Sequence, residues 1–114
     1  MVEQLRMTVT TVQVLEAFAA EPDTDRYGLE IMALTGFPSG TVFPILARLE
    51  RLGWLDSGWE TVDPRAAGRP RRRYYHLTEH GLGYARAALA RVAHERSRRA
   101  SVLRPAASAL GGLA

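Results

Sequence analysis

Apolar side chains recur at Val12, Leu15, Phe18 and Ala19 within residues 8–20. That is the spacing of one helical face and predicts a helix, with Thr8 or Thr10 as its N-cap. The segment EPDTD then breaks the pattern. Residues 26–35 carry Leu29, Ile31, Met32 and Leu34 and read as a short helix after an Asp25 cap. Gly36-Phe37-Pro38 is a turn. Ser39 caps a third helix over residues 40–52, whose inward stripe is Val42, Ile45, Leu46 and Leu49, with Leu52 at its end. Gly53 suits the left-handed position after that helix. Pro44 lies at or just beyond the first turn, where a missing backbone N–H is tolerated at the expense of some distortion. Residues 54–60 and 72–77 read as strands, with Trp54 and Trp59 packing the hairpin. Between them VDPRAAGRPR reads as a long hairpin tip. Thr78 caps a long helix that runs toward Arg104 and stops at Pro105, and residues 105–114 read as a flexible tail of small residues.

The predicted fold is mainly α with a two-stranded β wing, a winged helix–turn–helix of the α+β class. Two helices joined by a short Gly-containing turn, the second presented on the surface, form a DNA-reading unit. The start of the third helix offers Ser39, Gly40 and Thr41, small residues that let a helix N-terminus approach base edges. The helix dipole and the free amides there favour phosphate. Taken alone, these residues read first as a cap and a turn, because capping is so common.

Charge changes that weighing. Every basic residue apart from histidine is arginine, as a GC-rich coding bias would give, and the net charge is +3. It is unevenly spread: residues 1–63 hold four Arg and ten acidic residues, whereas residues 64–114 hold eleven Arg and two Glu. Arg65, Arg69, Arg71, Arg72 and Arg73 crowd the hairpin tip. So much like charge repels itself and gains from a polyanion. The segment GRPR is suited to laying Arg69 and Arg71 along a narrow minor groove, where negative potential is strongest. With 114 residues the chain is one small domain with short extensions, and 46% hydrophobic residues is too apolar for full disorder. No cysteine is present, which excludes disulfide scaffolds, thiolate zinc sites and thiol catalysis. The absence of a long apolar run or a signal-like start leads to the expectation of a cytoplasmic protein without membrane association.

The stretch RYGLEIMALTGFPSGTVFPILARLERLGWL, followed by GRPRRRYYHLTEHG, resembles the PadR family of bacterial transcriptional regulators. The matching pieces are Tyr27-Gly28, Gly40-Thr41-Val42-Phe43-Pro44, Leu46 with Arg48-Leu49-Glu50, and Gly53. Gly68-Arg69-Pro70 and the run Tyr74-Tyr75-His76-Leu77-Thr78 with Gly81 follow in the family's order. The resemblance implies a winged-helix dimer, usually a repressor, of the short class that has one C-terminal helix. The family commonly has Gly-Thr-Leu-Tyr-Pro; here Phe43 replaces the tyrosine and offers van der Waals contact, for instance to a thymine methyl, in place of a hydroxyl. The DNA-contacting residues are then expected to be Tyr27, Ser39, Gly40, Thr41, Phe43, Pro44, Arg48, Arg69, Arg71 and Arg72.

The long helix continues its apolar pattern at Leu82, Ala85, Leu89 and Val92, and the same face then turns to Arg96 and Arg99 before Leu103. A domain this small cannot cover both sides of a helix about 40 Å long. A second copy is therefore expected to meet it, with Val12 and Leu15 of the first helix completing a dimer face; the alternative is a helical hairpin within one chain. No catalytic constellation appears, and His76, His80 and His94 lack a shared ligand geometry, so neither enzyme activity, metal nor cofactor is expected. The resulting expectation is a winged-helix domain over residues 1–77 and a dimerisation helix over 78–104. Its partners are double-stranded DNA, as an inverted-repeat operator, and a second copy. A small-molecule effector is left open: some relatives of the short class hold flat aromatic molecules between their long helices, and Tyr84 is the only aromatic residue in this one. The alternative is a protein-interaction module on the same scaffold, with the basic wing docking an acidic protein.

Overall fold

The computed structural model describes residues 8–103. Eight elements follow one another: α1 (Val9–Ala19), β1 (Arg26–Tyr27), α2 (Gly28–Thr35), α3 (Ser39–Arg51), β2 (Leu55–Trp59), α4 (Pro64–Ala67), β3 (Arg73–Leu77) and α5 (Glu79–Leu103). Thr8 caps α1, its hydroxyl accepting from the Thr11 amide at 3.2 Å. The inward stripe of α1 puts Val14, Leu15 and Phe18 against Ile31 of α2 and Val42, Ile45, Leu46 and Leu49 of α3. Leu55, Tyr75 and Leu77 close the core from the sheet and Ala85 closes it from α5.

The sheet has three antiparallel strands in the order β1-β3-β2. In the hairpin Leu55 pairs with Leu77, Ser57 with Tyr75 and Trp59 with Arg73. β2 and β3 are the two-stranded wing that the pattern predicts, and β1 adds a third strand that it does not. Arg26 and Tyr27 do not open α2; they are extended and pair with Tyr75 and Tyr74. Glu30 causes this, because its carboxylate accepts from the Tyr27 amide at 2.9 Å and fixes the helix start at Gly28. Asp25 is therefore not the cap. The chain enters α2 from an extended residue, which leaves Arg26 and Tyr27 free to pair with the edge of β3.

The axes of α2 and α3 turn through 119°, within the range of a helix–turn–helix. Gly36 makes the turn possible: it closes α2 at φ 78°, with its N–H donating to the Met32 carbonyl at 2.8 Å. Gly53 plays the same part after α3. Pro38, not Ser39, is the N-cap of α3, its carbonyl accepting from Thr41 and Val42 at 3.0 and 3.1 Å. The ring of Pro38 already holds the φ that the cap requires, so Ser39 becomes the first helical residue.

Thr78 joins the wing to α5. Its hydroxyl accepts from the Gly81 amide at 2.8 Å and donates to the Gly53 carbonyl at 2.7 Å. A Cβ on Gly81 would overlap the Trp54 carbonyl, so α5 can pass the end of α3 only with glycine there. The first half of α5 packs on the chain's own body through Ala85 and Ala88, with Leu82, Leu89 and Val92 half-buried. From Ala93 to Leu103 the helix is exposed on every side, and Val102 and Leu103 are 76% and 78% exposed. Val12, Leu15 and Ala85 are buried in the monomer and are thus not available as a dimer face, a correction to the sequence reading. The reason is that α5 folds back along α1 of its own chain before it projects. The expected end of the helix at Arg104 and Pro105, and the tail over 105–114, lie outside the described residues. Among the described residues no single helix is long and apolar enough to cross a membrane.

Candidate nucleic-acid interface

The first turn of α3 places Ser39 and Gly40 at the surface, with Thr41 half-buried behind them. Their amides begin the helix, where the leading N–H groups lack intrahelical acceptors and the dipole is positive. Open space surrounds the position of a Cβ on Gly40. Pro44 lies inside the helix and donates no hydrogen bond to the preceding turn, which weakens the ladder behind these exposed residues. Arg48 is half-buried, further along the same helix.

Phe43 ties this helix to α2. It is 42% exposed, and its ring rests where a side chain on Gly28 would be, 2.5 Å from an ideal Cβ at that position. The Tyr27-Gly28 pair is thereby explained: glycine makes room for the Phe43 ring, and Tyr27 turns the other way, into the wing. The Tyr27 hydroxyl donates to Glu60 at 3.1 Å, and the Arg72 guanidinium lies over its ring, 5.4 Å from the centroid. Burial and the neighbouring Glu60 carboxylate push the Tyr27 hydroxyl pKa up, so it stays a donor. A line of contacts thus runs from the start of α3 through Phe43, Gly28 and Tyr27 to Arg72.

The five wing arginines divide into two groups. Arg69 grips Glu60 with both terminal nitrogens, at 2.6 and 3.1 Å. Arg73 reaches back to Glu50 of α3 at 3.2 Å and to the Ser57 hydroxyl at 2.7 Å, and lies 5.6 Å over the Trp59 ring. The remaining three, Arg65, Arg71 and Arg72, have no carboxylate partner among the described residues. Arg71 donates through Nε to the Val62 carbonyl at 3.0 Å, an arrangement that leaves its two terminal nitrogens turned away from that bond. The tip itself is a capped helical turn. Asp63 accepts from the Arg65 amide at 3.0 Å, Pro64 opens the turn, and Gly68 closes it at φ 70°. The segment between β2 and β3 is thus the long hairpin tip that the pattern predicts, with this one capped turn inside it.

Glu60 is the residue that the sequence reading missed. Its side chain is only 8% exposed within an arginine-rich loop. It accepts from Arg69 twice, from the Arg72 amide at 2.7 Å and from Tyr27. The Arg69 hydrogen bond is the main reason that its pKa falls to about 2, so it is a carboxylate at any physiological pH. The available signal was its position, an acid at the end of the first hairpin strand and across the hairpin from the arginine run. The grip also answers the expectation that Arg69 lies free for a minor groove: its guanidinium is held by Glu60. Trp59 packs the wing on one face only, beneath the Arg73 guanidinium. It is 57% exposed, while Trp54 is stacked on Tyr84 at 5.6 Å between centroids.

Residues 17–87 match the family model of the transcriptional regulator PadR-like family. No curated protein matches the chain. Among solved structures, smu.1704 from Streptococcus mutans UA159 superposes with a TM-score of 0.69 at 21% identity, covering 90% of this chain and 95% of that one. A PadR family transcriptional regulator from Eggerthella lenta DSM 2243 gives 0.65 at 24% identity, covering 81% of each. The PcaV transcriptional regulator from Streptomyces coelicolor, solved in complex with its natural ligand, gives 0.67 at 26% identity, covering 91% of this chain and 68% of that one. The chain belongs to the PadR-like family, whose members are DNA-binding transcriptional regulators and not enzymes.

Proposed function

We propose that the protein is a homodimeric repressor that binds an inverted-repeat operator. Each head sets the start of α3 in the major groove, where Ser39, Gly40, Thr41 and Phe43 meet base edges. Arg48 supports that helix, and Pro44 shapes its exposed turn. Tyr27 acts from behind, as the post between helix and wing, and Arg65, Arg71 and Arg72 supply the phosphate contacts. The observation that carries this reading is the unbroken line from Phe43 through Gly28 and Tyr27 to Arg72. It joins a helix start rich in small residues to the Arg72 guanidinium, which has no carboxylate partner among the described residues. An occupied operator then excludes the transcription machinery.

The second copy sits on the projecting half of α5 in this reading, where no described residue covers Val102 or Leu103. Residues 1–77 form the DNA-binding part and the helix from 78 onward sets the separation of two heads. The ligand held by the Streptomyces coelicolor regulator supports a small-molecule effector for this chain too. The test is a gel shift in rising salt with excess nonspecific competitor. Binding to selected duplex must survive the competitor; its loss would favour the wing as a dock for an acidic protein.

A further inference from the structure

We propose that Glu60 is a positioning residue for DNA reading, which withdraws Arg69 from the phosphate-facing charge of the wing and sets the wing against the helix–turn–helix. The inference rests on the DNA-binding reading above. A carboxylate close to DNA phosphates weakens binding to every sequence, because it repels the backbone. Glu60 nonetheless sits beside a run of arginines and is 8% exposed. Its acceptor sites are filled from three directions: two bonds from Arg69, one from the Arg72 amide, one from the Tyr27 hydroxyl. A carboxylate offers about four such sites, so this one is saturated by the protein itself.

The consequence for Arg69 is direct. Both terminal nitrogens face Glu60, and one also donates to the Pro70 carbonyl at 3.2 Å. Its charge is spent inside the wing. The consequence for reading runs through Tyr27, because the next residue, Gly28, underlies the Phe43 ring. Glu60 thus links the pose of the wing to the pose of the reading helix, and its value lies in selectivity and not in affinity.

The experiment measures binding to selected and scrambled duplexes at several salt concentrations for Glu60→Gln, Arg69→Gln and the double variant, with melting curves for each. The slope of log affinity against log salt counts phosphate contacts, at ~0.9 per contact, so one arginine released in each head of a dimer steepens it by up to about 2. Glu60→Gln is expected to steepen the slope by that amount and to tighten binding to scrambled duplex. Preference for the selected duplex is expected to fall several-fold. Arg69→Gln and the double variant are expected to keep the parental slope. A purely structural Glu60 would lower the melting temperature and weaken both duplexes with no change of slope, which overturns the proposal. A shallower slope in Arg69→Gln overturns it too, since Arg69 would already be on phosphate, and this arm decides even if Glu60→Gln fails to fold. Parental protein that shows no preference for any duplex would instead sink the DNA-binding reading on which the proposal stands.

Discussion

Arg72 and Arg73 are neighbours in sequence and opposites in the wing, and replacing each by alanine separates phosphate contact from scaffolding. The Arg72 guanidinium lies over the Tyr27 ring, and no carboxylate among the described residues neutralises it. Arg73 is tied to Glu50 at 3.2 Å and to Ser57 at 2.7 Å. If Arg72 meets one phosphate per head, Arg72→Ala removes two contacts from a dimer and lowers the magnitude of the salt slope by ~1.8. Between about 50 and 200 mM salt the parent should then lose roughly tenfold more affinity than the variant does. The loss at low salt should be alike for selected and scrambled duplexes, because phosphates carry no sequence. Arg73→Ala should leave the slope at the parental value and lower the melting temperature, because it frees Glu50 and unfastens the hairpin from α3. Binding titrations by fluorescence anisotropy at four or more salt concentrations provide the slopes. An unchanged slope in Arg72→Ala, or a shallower one in Arg73→Ala, would refute the division of the arginines argued from their partners.

Gly81→Ala should destabilise the fold by about 1–3 kcal/mol in urea unfolding, the range for overpacking, although alanine is the better helix former by about 1 kcal/mol. Its Cβ would overlap the Trp54 carbonyl, so a gain in stability would contradict that close approach. The joint change Val102→Asp and Leu103→Asp should shift sedimentation toward monomer with little change in the unfolding of each chain, because both side chains are exposed in the monomer. Leu15→Asp should instead unfold the protein, since Leu15 is fully buried in its own chain. Glu60 titrates at about 2 in the folded protein, below its ordinary value of 4.5. Its contribution to stability is therefore complete above the ordinary value and disappears as pH falls from there through about 2. The stability gap between parent and Glu60→Gln should narrow over that interval, and a gap that stays constant from pH 6 to pH 2 would contradict the pairing.

The helices were legible because each carries its own period. Val12, Leu15 and Phe18, and Val42, Ile45, Leu46 and Leu49, are core residues of α1 and α3 as their spacing requires. The three-stranded sheet was not, since two residues of β1 have no period to read, and only the Glu30 bond to the Tyr27 amide marks where the helix begins. The one-turn α4 did carry local signals in Asp63, Pro64 and Gly68, but the density of arginine drew the reading toward charge and away from capping. Val12, Leu15 and Ala85 read as free for a second copy for a different reason, although all three are buried in their own chain. An apolar seam such as Leu82, Ala85 and Leu89 looks the same whether its partner belongs to the same chain or another. Only the packing of α5 on α1 distinguishes them. Composition likewise counted five wing arginines alike, whereas their charge is apportioned by Glu60 and Glu50, which lie up to 23 residues away from the arginines they hold.

Selection of bound duplexes from a random pool is the most direct test of the central claim, that two winged heads on a shared α5 seam read DNA together. The expected product is an inverted repeat with half-sites centred about 10 base pairs apart, or a multiple of that spacing, since a two-fold dimer presents its helices one helical turn apart. A direct repeat, a lone half-site or a pool without enrichment would contradict it.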